Sequence, residues 1–112
     1  MSDDFAQTLL VLTNLPSQES ATGLAKVLVE KRLAACVNVI DGCTSVYRWQ
    51  DAVQVEREIP VLIKTRVERY AAVDQQILAL HPYELPEIIA VPLRAGFEPY
   101  LAWLADEVVD AN

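Results

Sequence analysis

The sequence predicts an α+β fold in which the elements run β-α-β-β-α-β and one further helix closes the chain. Three observations carry this reading. Apolar residues recur first as a short run, then at helical spacing, then in alternation, and helical spacing, a second short run and a last helical stretch follow. Of the 112 residues, 53% are hydrophobic, which is enough to bury one core without disulfide or metal staples. Only three glycines interrupt the pattern, so neither a disordered nor a low-complexity chain fits.

The apolar run Thr8-Leu9-Leu10-Val11-Leu12-Thr13 stops at Asn14-Leu15-Pro16 and reads as a buried central strand. Ser17 supplies a helix cap and Glu19 suits the positive helix end. Ala21, Leu24, Ala25 and Leu28 then mark an amphipathic helix running to about Leu33. From Cys36 to Trp49, β-branched and aromatic residues form a second strand, broken at Asp41-Gly42. Gln50-Asp51-Ala52 is a turn, and Val53, Val55, Ile59, Val61 and Ile63 alternate along the return strand. Pro60, lacking an N–H, belongs at a bulge or an unpaired edge. Thr65-x-x-Glu68 has the form of a capping box and opens a helix through Tyr70, Val73, Ile77 and Leu80. His81-Pro82 ends it, because a residue before proline avoids helical dihedrals. Glu87–Pro92 is the fourth strand, and Glu98-Pro99 starts a last helix carrying Tyr100, Leu101, Leu104 and Val108. This is the split βαβ, or ferredoxin-like, order within a single domain (core about 8–109).

One feature strains that picture. The two middle strands, at about 14 residues each, reach roughly 45 Å, while a compact body of this length spans only about 35 Å. The hairpin therefore overhangs, bends, or pairs with another subunit, and edge pairing in a closed oligomer protects it best.

The formal charge is −7, from 16 acids and 9 bases, and no basic patch suggests nucleic-acid binding. No uncharged apolar stretch approaches the ~20 residues of a membrane span, and the acidic Met1-Ser2-Asp3-Asp4 is unlike a basic export signal. On one extended strand, Cys36 and Cys43 would stand roughly 23 Å apart, too far for a disulfide. Reduced thiols and a cytoplasmic location are expected.

His81, the one histidine, sits at a helix C-terminus, where the dipole favours its charged form. It is either a capping or interface residue or part of a metal or ligand site, and alone it cannot build a metal centre. Glu87, at the head of a buried strand, divides evenly between a hydrogen-bonded edge carboxylate and a functional one. Cys36 reads as a small buried hydrophobe, with a site role as the alternative. Tyr47, Trp49 and Tyr83 suit an interface or a ligand cleft, and Lys64 either faces an acid across a cleft or caps the hairpin. No GxSxG, HExxH, CxxC or glycine-rich phosphate loop is present, so enzymatic activity is not expected.

Several short motifs follow one another in register: Leu33-Ala34-Ala35-Cys36-Val37-Asn38, Thr44-Ser45-Val46-Tyr47-Arg48-Trp49, Lys64-Thr65, His81-Pro82-Tyr83-Glu84-Leu85-Pro86-Glu87-Ile88-Ile89, and Tyr100-Leu101-x-Trp103. Together, over Leu9 to Leu104, they resemble the CutA divalent-cation tolerance proteins. The resemblance implies a PII-like homotrimer in the cytoplasm, acting in tolerance of copper and other divalent cations and in the response to metal ions. It also implies His81 as a metal ligand, with Glu87 and Cys36 at cleft positions. Copper sites in the family use a cysteine near the end of the first strand and a second histidine beside the first. Thr13 and Leu80 stand there, so the soft ligands that select copper are missing. The resemblance therefore implies a weak site for Cu2+ or another divalent cation. The alternative is a signalling or scaffold trimer that binds an organic ligand or a partner protein.

Overall fold

The computed structural model describes residues 7–109. Its elements are β1 (Thr8–Leu15), α1 (Gln18–Glu30), β2 (Cys36–Val39), β3 (Cys43–Trp49), β4 (Ala52–Arg66), α2 (Tyr70–Leu80), β5 (Ile88–Pro92) and α3 (Glu98–Glu107). The acidic segment of residues 1–4 lies outside the described residues.

β4 is the spine of the sheet. Along one edge it pairs antiparallel with β1, from Thr8↔Arg66 to Leu15↔Ile59. Along the other edge it pairs first with β2, from Cys36↔Lys64 to Val39↔Val61, and then with β3, from Cys43↔Glu58 to Trp49↔Ala52. β5 pairs antiparallel with β1. β1 and β2 thus run parallel with β4 between them, which is the ferredoxin-like arrangement.

Alternation along the strands divides the sheet into two faces. Val11, Leu15, Val61 and Ile63 are buried with Ala21, Leu24 and Leu28 of α1 and with Val73 and Ile77 of α2. The opposite face carries Leu10, Leu12 and Leu62, which are half-buried, and Ile89 and Val91, which are exposed. α3 contacts β1 and β4 and buries Leu101 and Leu104.

The stretch expected as one long strand from Cys36 is two strands separated at Ile40–Gly42. Gly42 takes φ +105°, where an added Cβ would strike the Arg57 side chain. The break accommodates Pro60. Ile40 N–H donates to the Pro60 carbonyl, so the edge on which Pro60 lacks its own donor faces the interruption between β2 and β3. β1 passes Pro60 on the other side with its register intact. Beyond the break, β3 and β4 turn through Gln50 (φ 50°) and Asp51 (φ 65°), the two left-handed residues of a type I′ hairpin. This hairpin overhangs as the strand lengths predict, and the long axis is 47 Å against 25 and 23 Å for the others.

α1 ends sooner than the periodicity suggests. Arg32 adopts φ 58°, and Leu33 N–H reaches back to the Leu28 carbonyl. This is a Schellman closure in which Leu28 and Leu33 are both buried.

The capping box expected at Thr65 does not form. Thr65 is a fully buried strand residue opposite Leu9, and its hydroxyl donates to the Leu33 carbonyl at 2.6 Å. Glu68 pairs instead with Arg66 at 2.7 Å. A single 3₁₀ turn (Val67–Arg69) therefore precedes α2, with no side-chain cap. Replacing Thr65 by Val should cost about 1–3 kcal/mol, because a buried carbonyl loses its donor with little change in volume. Thr65→Ser should retain most of the stability, and denaturant unfolding of the two variants checks this.

Candidate ligand cleft

Where the hairpin leaves the sheet, its inner face and the α2–β5 loop enclose a cleft of about 680 Å³. Ser45, Tyr47 and Trp49 of β3 and Glu58 of β4 line it from one side. Their matched parity across the β3–β4 register places all four on one face of the hairpin. Asn14 closes one end, and Tyr83, Glu84, Leu85, Pro86 and Glu87 of the loop form the other wall.

The loop is held by a relay of hydrogen bonds that begins at Asn14. His81 Nε2–H donates to the Asn14 carbonyl at 2.5 Å, and His81 Nδ1 accepts the Tyr83 N–H at 3.2 Å. Both ring nitrogens are thereby engaged, which selects the neutral Nε2–H tautomer rather than the charged form expected at a helix end. The rings of His81 and Tyr83 lie 4.6 Å apart. The Asn14 side-chain amide donates to Glu87 Oε1 at 2.9 Å. Finally, the Tyr83 phenol stands beside the Glu58 carboxylate, so the loop reaches both β1 and β4.

Glu58 is 7% exposed, although it is a carboxylate. Burial, followed by the negative charge and hydrogen bond of Glu58, pushes the Tyr83 phenol up to about 12. Tyr47 is raised as well, by desolvation and then by Glu56 and Glu58, although it stands in the open part of the cleft. For both phenols desolvation is the larger cause and the nearby carboxylates the smaller one.

Among the expected site residues, Tyr47, Trp49, Tyr83 and Glu87 line this cleft, and His81 positions its loop. His81 and Glu87 do not meet directly; Asn14 lies between them. Cys36 and Lys64 are elsewhere. Lys64 lies six residues beyond Glu58 along β4, roughly 20 Å away. There Lys64 Nζ is 4.0 Å from Cys36 Sγ and lies over the Tyr100 ring. Thr13, at the position of the family's cysteine, is buried on the helix-covered face, and Leu80 is exposed. Both cysteines are free thiols. Asn14 and Glu58 were absent from the sequence-derived site. Glu58 was nevertheless detectable: counting back through the two-residue turn puts it opposite Cys43, on the face of Tyr47 and Trp49.

The chain is a small α+β protein with a hydrogen-bonded cleft on a ferredoxin-like sheet, and the described residues hold no cluster of three His, Cys, Asp or Glu suited to a metal ion. The sequence profile of the CutA1 divalent ion tolerance protein matches residues 9–107, and the chain belongs to that family. It is 46% identical over 97 residues to the divalent-cation tolerance protein CutA of Thermus thermophilus, covering 87% of this chain and 94% of the relative. A solved structure of the divalent cation tolerance protein from Thermus thermophilus superposes with a TM-score of 0.89 at 44% identity, over 91% of this chain and 99% of that one. The PII-like protein CutA from Nostoc sp. PCC 7120 gives 0.82 at 33% identity, over 90% and 97%.

Because the folded pKa of Tyr83 lies above its value of 10.0 in the unfolded chain, its contribution is complete below pH 10 and is lost as pH rises to about 12. Ultraviolet phenolate titration should show one tyrosine ionising last, near 12. In Glu58→Gln that tyrosine should ionise earlier.

Proposed function

We propose that this chain is a non-catalytic binding module of divalent-cation tolerance, acting in the cytoplasm as a homotrimer whose cleft recognises a small ligand. The observation that carries this reading is the overhanging hairpin, which has two functional faces. Its inner face lines the cleft. Its outer face presents Val46, Val53 and Val55 at 65%, 61% and 65% exposure, an apolar stripe too open for a lone subunit. The half-buried Leu10, Leu12 and Leu62 and the exposed Ile89 and Val91, on the sheet face away from α1 and α2, extend the apolar surface available to neighbours. The two free cysteines suit a reducing compartment.

A tight copper centre is not part of this reading. A metal at His81 would have to displace the Tyr83 N–H from Nδ1 or the Asn14 carbonyl from Nε2. Metal contact is therefore weak and falls to Glu87 and the loop around His81. Recognition of an organic ligand is favoured by the buried Glu58 carboxylate facing the cleft beside Tyr83, which a purely structural hairpin does not require.

Sedimentation equilibrium should give a trimer, and Val46→Lys with Val55→Lys should shift it towards monomer. Calorimetry with copper and zinc should show binding no tighter than about millimolar, alike in wild type and His81→Ala. Micromolar binding abolished in His81→Ala would establish a metal centre and overturn the reading.

A further inference from the structure

We propose that the cleft is a receptor for an organic cation, an alkylammonium or guanidinium group held between Tyr47, Trp49 and Tyr83 with Glu58 as its counter-ion. The proposal rests on reading the cleft as the binding site of this chain.

The first argument is the state of Glu58. A side chain 7% exposed that carries a carboxylate is ordinarily matched by a cation. Among the described residues the ion pairs are Arg32–Glu107 and Arg66–Glu68, and neither involves Glu58. The group set against it is the neutral Tyr83 phenol. A carboxylate accepts up to about four hydrogen bonds, so acceptor capacity remains for a guest in the cleft that Glu58 lines.

The second argument is the character of the walls. Three aromatic residues border the same cavity, and aromatic faces attract cations, most strongly where water is excluded. Glu84 and Glu87 add negative charge at the rim, and Glu56 with Glu58 adds to the desolvation that raises both phenols. Arg48 is the one basic residue lining the cleft. It is exposed, and by alternation it belongs to the opposite face of the hairpin from Tyr47 and Trp49.

The third argument separates an organic cation from a metal ion. A hard divalent ion needs several convergent oxygens at short range. Here Glu58 and Glu87 are tied to different partners, Tyr83 and Asn14. The aromatic walls would supply no ligands, and a cavity of about 680 Å³ is suited to a molecule. The same chemistry could come from a free amine or from a Lys or Arg side chain of a second copy.

The test uses the full chain in a Trp103→Phe background, so that Trp49 emission reports on the cleft. It is titrated at low salt with 1,5-diaminopentane, spermidine and tetramethylammonium, and with 1,5-pentanediol and glutarate as controls. The expected result is saturable, sub-millimolar binding of the ammonium compounds only, weakened by salt. Glu58→Gln should weaken it by about tenfold or more, and Arg48→Ala should strengthen it. If Glu58→Gln does not fold, Tyr47→Leu serves instead, since it removes a wall and leaves the buried carboxylate in place. Should a side chain of a second copy occupy the site, the amines will instead promote dissociation in sedimentation, and Glu58→Gln will weaken self-association. Copper, diol or glutarate binding at Trp49 without any ammonium response overturns this inference and leaves the cleft a binding site. No response to any probe, with self-association unchanged in Glu58→Gln, overturns both readings.

Discussion

The antiparallel pairing of β4 with three different strands is the interaction on which the rest of the molecule depends. Its C-terminal half lies between β1 and β2 and feeds Val61 and Ile63 into the core. Its N-terminal half pairs with β3 alone and extends beyond the body of the domain. The transition falls at Pro60, where one edge cannot donate a hydrogen bond and the neighbouring strand is interrupted. Because the strand is continuous through that point, the overhang is aimed by the same ladder that organises the core. The cleft lies at this junction because Glu58, Pro60 and Asn14 come together there.

The loop that completes the cleft has little hydrophobic anchorage; Leu85 and Tyr83 are exposed. Polar contacts from the end of β1 and the middle of β4 hold it in place. Asn14 contributes two independent groups, a backbone carbonyl to His81 and a side-chain amide to Glu87. Tyr83 contributes an N–H to His81, and its phenol stands beside Glu58. A short helix C-terminus is thereby converted into a fixed wall, and the single histidine becomes a structural link within it. Local order of this kind limits the entropy cost of ligand binding.

Much of this architecture was legible in the sequence. Period marked the order of strands and helices, except the division of the Cys36–Trp49 stretch into β2 and β3, and the overlong hairpin was visible from strand length alone. The misassignments have physical causes. Thr65 and Glu68 have the spacing of a capping box, but a buried carbonyl at Leu33 competes for the hydroxyl and Arg66 for the carboxylate. Cys36 and Lys64 lie on the same sheet face as the aromatic cleft but roughly 20 Å along it, so the face of one subunit carries two separate clusters. Asn14 was read as a strand stop because it precedes Leu15-Pro16. Its importance comes from a partner 73 positions away, which no local pattern reveals. His81 and Glu87 were singled out by type, whereas their roles follow from Asn14.

The change of environment along β4 has an evolutionary consequence. In the part of the strand within the sheet, alternate residues are committed to the core, and substitution there is constrained by volume. Past Pro60 the same alternation separates cleft from outer stripe, and neither face supports the hydrophobic centre. Residues such as Gln54 and Glu56 can therefore vary without threatening the fold, because folding and recognition occupy different lengths of one strand. A lineage built on this plan can retain its scaffold while it explores new ligands.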